Sequence, residues 1–442
     1  MVHYAPQVQL PLPICLERSA PLLTTGHVAE ARIGTSGTFS DNMRLPIHRW
    51  YRYSAGFSAD WVRSVIRECK PSALLDPFVG SGTSLLAAEE EGIDSYGFEA
   101  HPFVARIARA KLSWNASVKE LVSWTAKLLQ QATSMSPDIS GETPLLLKCY
   151  STEALRKLCA IRESFLILKE EMSTSVGELL WLAITSILRP CSHAGTAQWQ
   201  YVLPAKGKAR VLEPYDAFKT KIDTMTADMR HFQRSATPSG TLMARDARER
   251  LEFLDGKIDL VVTSPPYPNN YDYGDSTRLE MCFWHEIRGW GDLQTTVRRF
   301  LVRSCSQHAA AEKLKLDDVL AAPQLEPIRR DLSEICRSLE EERSHHGGKK
   351  SYHTMVAAYF ADIASVFHAL RGACSAGSRM CFVIGDSAPY GVYVPVDEFM
   401  GRLALAVGFS GFSFEKIRDR NVKWKNRKHR VPLKEGRLWI EG

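Results

Sequence analysis

The spacing of apolar and polar residues changes several times along the chain. From about residue 73, short apolar runs and helical spacing alternate in the order strand, glycine-rich turn, helix, strand, helix. This alternation predicts the βαβ units of a parallel sheet covered by helices. Between residues 117 and 239 the spacing is helical throughout, with proline and glycine between the runs. Strand-like runs return near residue 240 and, after a charged stretch with helical spacing, again near residue 378.

The pattern therefore predicts a sheet built from both ends of the chain, by residues 46–116 and 240–442. In this interpretation residues 117–239 are a helical insertion, and residues 285–350 are a second, charged insertion. Residues 1–45 are rich in proline, glycine, serine and threonine and have no clear periodicity, which predicts an arm along the surface.

The composition narrows the class of protein only moderately. The chain has 442 residues, of which 45% are hydrophobic, so it can bury a large core. Its net charge of +6 permits a nucleic-acid partner without requiring one. The ten cysteines form no Cys-x-x-Cys pair, so we expect reduced thiols and no metal site. No run of about 18 apolar residues occurs, and we expect no membrane partner.

The first candidate site is the turn that follows the first strand, Asp76–Thr83 (DPFVGSGT). Its glycines let the backbone approach a ligand closely, and the helix after it presents free N–H groups. Glu99 ends the next strand, where a carboxylate can accept both hydroxyls of a ribose. Leu85 stands where a dinucleotide-binding motif has its third glycine, so NAD is disfavoured. The Gly-Lys-Ser/Thr sequence of a phosphate-binding P-loop is also missing. A tight turn and a solvated strand end, both without a ligand, remain the alternatives.

These residues resemble the cofactor motifs of a known family. Asp76–Thr83, followed by Gly97–Pro102 (GFEAHP), is similar to the motifs of amino-directed DNA methyltransferases, which use S-adenosylmethionine. The resemblance implies an α/β, Rossmann-like class I methyltransferase fold with a mostly parallel seven-stranded sheet. It also implies that Asp76 and the turn Phe78–Gly82 hold the methionine part of the cofactor, and that Glu99 holds its ribose.

Two further matches are less specific. The segment His48–Ser58 is similar to the family motif that lines the methionine end of the cofactor, although a plain helix start is the alternative. Asp246 matches the position that accepts from the adenine amino group, although it could equally be a helix N-cap. The cofactor-binding residues predicted from all these matches are Asp76, Pro77, Phe78, Gly80, Ser81, Gly82, Thr83, Glu99, Asp246, Phe57 and Ser58.

The second candidate site follows an apolar run at residues 257–263 and consists of Ser264, Pro265, Pro266 and Tyr267. Two prolines fix φ and remove N–H donors, so the turn offers the Ser264 hydroxyl and the Pro265 carbonyl as acceptors. Two acceptors on the hydrogens of an aromatic amine favour a pyramidal nitrogen whose lone pair points at the methyl donor. Tyr267 offers an aromatic face to a base extruded from the duplex. A loop or a polyproline-type ligand is the alternative.

The identity of the first residue of this motif bears on the target base. In the family, Ser-Pro-Pro-Tyr occurs chiefly with cytosine N4 and Asn- or Asp-Pro-Pro-Tyr chiefly with adenine N6. The resemblance therefore implies N4-cytosine methylation, with N6-adenine methylation as the second hypothesis. It extends to about Glu280, but Tyr271–Tyr273 and Arg278–Glu280 have no role that the sequence indicates. An RNA or protein methyltransferase, or a cofactor-binding regulator, remains a weaker alternative.

A basic run near the carboxyl terminus predicts a contact with the nucleic-acid backbone. Between residues 416 and 430, eight Lys or Arg residues and a tryptophan accompany one Asp, before a final strand. We interpret the run as a backbone-gripping loop beside the flipped base, with a solvated face as the alternative. The predicted DNA-binding residues are Lys416, Arg418, Arg420, Lys423, Trp424, Lys425, Arg427, Lys428 and Arg430.

The resemblance also implies a biological setting. The expected partner is double-stranded DNA with a flipped target base, and either insertion is a candidate for reading its sequence. A cognate restriction endonuclease is a candidate second partner, in a restriction–modification or phage-defence context. The expected location is the cytoplasm of a bacterium or archaeon, in association with the nucleoid. We expect Cys191 to be an ordinary thiol and His345–Gly348 to be a charged loop.

Overall fold

The central feature of the fold is a seven-stranded sheet, in a computed structural model that describes residues 39–53, 55–197, 200–420 and 431–442. The strands of these residues are, in chain order, β1 (Ala73–Asp76), β2 (Asp94–Phe98), β3 (Ala194–Thr196), β4 (Val202–Gly207), β5 (Gly240–Met243), β6 (Ile258–Thr263), β7 (Cys374–Gly385), β8 (Gly411–Arg420) and β9 (Leu433–Glu441).

The order of the sheet is β5-β2-β1-β6-β7-β9-β8. The first five strands of this order are parallel, and β9 runs antiparallel to both of its neighbours. The predicted class is thereby confirmed: an α/β protein with a mostly parallel seven-stranded sheet. Parallel strands are covered on both faces, which is why β1 and β6 are nearly continuous apolar runs with buried side chains.

Helices cover both faces of the sheet and fill the segments between the strands. They are α1 (Ala59–Cys69), α2 (Thr83–Glu90), α3 (Pro102–Leu112), α4 (Val118–Ser134), α5 (Pro144–Cys149), α6 (Thr152–Leu168), α7 (Thr174–Cys191), α8 (Pro214–Phe232), α9 (Tyr273–Ser276), α10 (Arg278–Phe283), α11 (Leu293–Thr296), α12 (Ser306–Ala311), α13 (Leu316–Leu320), α14 (Arg329–His345), α15 (Tyr352–Ala373) and α16 (Val396–Ala406). Within the described residues, no helix is both long and apolar enough to cross a membrane.

Residues 117–239 contain α4 to α8, and they also contain an antiparallel hairpin of β3 and β4. The expectation of helical spacing throughout was therefore wrong for this hairpin. Strand β3 has only three residues and β4 includes Pro204, so neither has a two-residue periodicity long enough to be detected.

This segment packs against α3 and against the residues that precede α1. Phe103 of α3 stacks edge-on against Trp181 of α7, with 5.2 Å between the ring centroids. Asp228 of α8 accepts hydrogen bonds from the indole of Trp50 at 2.9 Å and from Nε of Arg49 at 2.9 Å. One hydrophobic cluster thus continues from α3 into α4, α6, α7 and α8. The division into domains at residues 117 and 239 stays a prediction.

Candidate active site

The carboxylate of Asp76 joins the ends of β1 and β6. It is fully buried and accepts hydrogen bonds from Thr263 Oγ1 at 2.5 Å, from the Phe78 N–H at 2.9 Å and from the Ser84 hydroxyl. Burial raises the pKa of this carboxyl group to about 6. Asp76 therefore holds the two candidate motifs together, since Thr263 directly precedes Ser264.

The glycine turn after Asp76 has a left-handed backbone at two positions, Gly80 with φ +56° and Gly82 with φ +90°. Residues with a side chain rarely adopt these angles, which explains the two glycines. A Cβ atom on Gly80 would lie only 2.9 Å from Cε1 of Tyr53. The turn is thus packed tightly against the segment that precedes α1, and Gly82 leads directly into α2.

Glu99 lies at the end of β2, beside this turn. Its Oε2 accepts the Gly80 N–H at 2.8 Å and its Oε1 accepts the His101 N–H at 2.8 Å. Burial raises the pKa of the carboxyl group to about 7. Because a carboxylate oxygen can accept more than one hydrogen bond, both oxygens can still accept from a ligand.

A cavity lined by residues of both connects the two candidate sites. The cavity is mostly apolar, with Glu99 and Asp246 as its acidic residues. Eight of the residues predicted from the sequence line it: Phe57, Pro77, Phe78, Gly80, Glu99, Asp246, Ser264 and Pro266. The predicted residues outside its described lining are Ser58, Asp76, Ser81, Gly82, Thr83, Pro265 and Tyr267.

Two of the predicted cofactor residues have structural partners of their own. The Ser58 hydroxyl accepts the Trp61 N–H at 3.4 Å and caps α1, whereas Phe57 lines the cavity and meets the Trp61 ring edge-on. Ser58 thus begins a helix, as the alternative for this segment expected, but it is buried and not on the surface, and its role towards a cofactor stays a prediction.

Asp246 lines the cavity, but no α-helix starts there, so the N-cap alternative was wrong. Its carboxylate accepts the Arg248 N–H at 2.9 Å in a turn and also pairs with the Arg248 guanidinium at 2.5 Å. Arg248 pairs in turn with buried Asp362 at 2.9 Å. The position of Asp246 is therefore fixed by an ion-pair network.

The Ser-Pro-Pro-Tyr segment follows β6 directly. The Ser264 hydroxyl donates to the Val383 carbonyl at 3.3 Å and also hydrogen-bonds to the Tyr267 phenol. With its proton on Val383, it accepts from Tyr267 with one lone pair and keeps a second lone pair for another donor. The Arg420 guanidinium lies 5.5 Å from the centroid of the Tyr267 ring. Burial raises the pKa of the Tyr267 phenol, and nearby Glu435 raises it further.

The residues after this segment, for which the sequence indicated no role, anchor it. Asp272 forms a buried ion pair with Arg298 at 2.6 Å. Glu280, which is fully buried, pairs with Arg189 of α7 at 2.5 Å, and Arg189 also donates to the Ser276 carbonyl at 2.7 Å. The Ser-Pro-Pro-Tyr segment is thereby tied to residues of both predicted insertions.

Sequence reasoning missed several residues of the cavity. His101 is buried, its Nε2 lies 3.0 Å from Thr277 Oγ1, and burial lowers the pKa of its ring to about 3, so the ring is neutral. His101 stands inside a matched motif, which was a usable signal. Phe300, by contrast, belongs to the charged stretch, and nothing in its local sequence pointed to the cavity. The lining residues that were not predicted include Tyr53, His101, Tyr273, Phe300, Leu301 and Val302.

The described part of the basic run is a strand and not a loop, which corrects the prediction for residues 416–420. Lys416 pairs with Asp419 at 2.6 Å, and Arg418 pairs with Glu435 at 2.8 Å, directly across the β8–β9 ladder. The register of β8 and β9 places Glu435 opposite Arg418 and within 4.0 Å of Arg420. The other predicted residues lie outside the described part of the chain: Lys423, Trp424, Lys425, Arg427, Lys428 and Arg430.

Comparisons with known proteins point to methyltransferases. No protein-family model matches the chain. It is 24% identical to the Type II methyltransferase M.BsoBI of Geobacillus stearothermophilus, over 87% of this chain and 82% of the relative. It is 24% identical to the Type II methyltransferase M.AvaI of Nostoc sp. strain PCC 7120, over 84% and 81%. It is 22% identical to the Type II methyltransferase M.MvaI of Kocuria varians, over 55% and 58%. These similarities support a methyltransferase.

Proposed function

We propose that the chain transfers a methyl group from S-adenosylmethionine to an exocyclic amino group of a base in DNA, with cytosine N4 as the target. The observation that carries this proposal is the single cavity that extends from Glu99 to Ser264 and Pro266. One end offers acceptors for a nucleoside, and the other offers an acceptor for an amine. A methyl donor bound in this cavity lies next to the acceptor that the amine requires.

The residues present fit S-adenosylmethionine. Both Glu99 oxygens have lone pairs left for the ribose hydroxyls, and the left-handed backbone at Gly80 brings main chain to the cavity wall. Phe57 and Phe78 supply apolar surface. When bound, the cofactor supplies an electrophilic methyl group.

The target amine is oriented by the chain's own acceptors. The Ser264 hydroxyl, whose proton is engaged by Val383, accepts one amine hydrogen, and we assign the second hydrogen to the Pro265 carbonyl. This arrangement favours a pyramidal nitrogen with its lone pair free to form the new bond. Neither Ser264 nor the prolines is a nucleophile towards pyrimidine C6. Cys191 is buried at the end of α7, and burial raises the pKa of its thiol to about 12.

The assignment of DNA as the substrate and the assignment of cytosine N4 as the target atom rest on different observations. DNA is supported by the similarity to Type II methyltransferases, and by the resemblance of both motifs to those of amino-directed DNA methyltransferases. Cytosine N4 is supported by the serine in Ser-Pro-Pro-Tyr, and adenine N6 is the second candidate. We infer a restriction–modification setting from the same similarities, with a cognate endonuclease as a candidate partner.

The test is methyl transfer from labelled cofactor to DNA, RNA and protein, followed by analysis of the nucleosides from the DNA. We expect N4-methylcytosine and no C5-methylcytosine. Ser264→Ala should slow transfer by roughly 10²- to 10³-fold, as for the loss of one preorganised hydrogen-bond partner, while cofactor affinity is retained. Glu99→Gln is the matched control, because it should weaken cofactor binding first. C5-methylcytosine, or full activity of a Ser264→Ala, Tyr267→Ala double variant, would contradict the proposal.

A further inference from the structure

A second cleft borders the Ser-Pro-Pro-Tyr segment. It is open to solvent and is lined by Asn269 and Asn270, which follow Tyr267 closely in sequence, and by Arg420, whose guanidinium lies over the Tyr267 ring. Across the cleft lie the end of α14, the start of α15 and Tyr390. A strand of nucleic acid that delivers a base to Tyr267 has room to pass here.

Two lysines on the far wall are free of ion pairs. Lys349 and Lys350 are exposed, and no carboxylate of the described residues lies within 4.0 Å of either ammonium group. Lys416 and Arg418, by contrast, are each paired with an acid. The acidic residue of the cleft is Asp386, which already accepts the Tyr393 hydroxyl at 2.9 Å. The charge available to a ligand is therefore positive.

The turn that carries these lysines is braced. The His346 ring stacks on the Tyr390 ring with 4.4 Å between centroids and 3° between planes, and Tyr352 meets Tyr390 edge-on at 4.7 Å. Arg343 Nε donates to the Gly348 carbonyl at 2.8 Å. This segment was expected to be a charged loop, and the stack gives it a defined position. The lysines therefore need little ordering before they bind a ligand.

We propose that Lys349 and Lys350 bind phosphodiester groups of the DNA strand that carries the target base. The proposal rests on the proposed DNA methyltransferase function. The charge of the cleft, the position of Arg420 between the cleft and the Tyr267 ring, and the braced turn all favour a polyanionic strand. Lysine at such a position contributes affinity without reading sequence, because phosphate contacts carry no base information.

The test compares two double variants with equal loss of charge. Lys349→Gln, Lys350→Gln removes the proposed contacts. Lys70→Gln, Lys257→Gln is the control. Both lysines are exposed and lie just before β1 and β6, at the amino-terminal ends of these strands, whereas the site lies at their carboxyl ends. The affinity of each protein for a short mixed-sequence DNA duplex is measured over a range of salt concentrations, beside methyl transfer to the same duplex and cofactor affinity.

We expect the first variant to bind DNA more weakly and to lower the slope of log affinity against log salt by about 1 per lysine. Its cofactor affinity should equal that of the wild type. The control should match the wild type in all three measurements. An unchanged slope in the first variant, or equal losses in both variants, would overturn the inference while methyl transfer by the wild type upheld the function. A wild type that methylates RNA and not DNA would overturn both.

Discussion

Acidification should weaken cofactor binding through Glu99. This carboxylate lines the cavity, and its pKa is raised to about 7 by burial. Accepting two ribose hydroxyls requires the ionised form, because protonation turns one oxygen into a donor. With such a pKa, the ionised fraction falls from about nine-tenths at about pH 8 to about one-tenth at about pH 6. We therefore expect the affinity for S-adenosylmethionine to fall about 10-fold over this interval.

One variant distinguishes the titration of Glu99 from that of the other titratable groups near it. His101 has a pKa of about 3 and stays neutral, whereas buried Asp76 has a pKa of about 6 and raises the pKa of Glu99 slightly. Calorimetric titration with S-adenosylmethionine at several pH values should show weaker binding by Glu99→Gln at about pH 8 and a nearly flat pH profile. If Glu99→Gln kept the pH profile of the wild type, the assignment of the ribose to Glu99 would be refuted.

The same carboxyl group has a predictable effect on stability. Its pKa in the folded protein exceeds the ordinary value of 4.5, so protonation favours the folded state. This stabilisation is complete below about pH 4.5 and is lost as the pH rises through about 7. Glu99→Gln should consequently remove this pH dependence, of up to about 3 kcal/mol between about pH 4.5 and about pH 7, from the free energy of unfolding in thermal denaturation without cofactor. The slope against pH is compared, and not the absolute stability, because the glutamine NH2 group cannot accept the N–H that one carboxylate oxygen accepts. An unchanged pH dependence in the variant would contradict the raised pKa of Glu99.

Two further substitutions test the packing of the site by chemical denaturation. Gly80→Ala should lower the free energy of unfolding by more than Gly92→Ala, which should cost about 1 kcal/mol. Both glycines have a positive φ, but only a Cβ atom at Gly80 would meet the Tyr53 ring. Equal losses would rule out that contact. Arg189→Met should cost about 3–5 kcal/mol, because it leaves Glu280 buried and unpaired, and adding Glu280→Gln should recover part of the loss. No recovery would exclude the unpaired charge as the cause.

The strands that hold the site were predictable from the sequence for a physical reason. Parallel strands buried on both faces need continuous apolar runs, so β1 and β6 were visible, and each is followed by a motif whose glycines or prolines have a backbone role. The β3–β4 hairpin was not visible, because β3 is too short for a periodicity and because Pro204 weakens the strand signal of β4.

The parts of the site that escaped prediction depend on contacts between distant residues. Phe300, Leu301 and Val302 reach the cavity only through the path of the chain after β6, which local spacing does not encode. The pairing of Arg418 with Glu435 depends on the register of two antiparallel strands, so a run that looks uniformly basic in sequence is partly neutralised. Asp76 is held by three hydrogen bonds, from β6, the turn and α2, and lies outside the lining of the cavity, so its predicted contact with the cofactor stays a prediction.

Arg420 connects the basic run to the Ser-Pro-Pro-Tyr segment. Its guanidinium lies over the Tyr267 ring and donates to the Asp386 carbonyl at 3.0 Å, so a base that stacks on this ring face must first displace it. A cation over an aromatic ring contributes about 0.5–2 kcal/mol. We therefore expect Arg420→Ala to change kcat/KM for DNA by up to about 30-fold. Its affinity for the cofactor should stay unchanged, because Arg420 lines the second cleft and not the cavity that contains Glu99.

Arg418→Ala is the matched control, because it removes an equal charge from the same strand and Arg418 lies outside the lining of the cleft. Equal effects of the two variants on kcat/KM would assign the role of Arg420 to its charge alone.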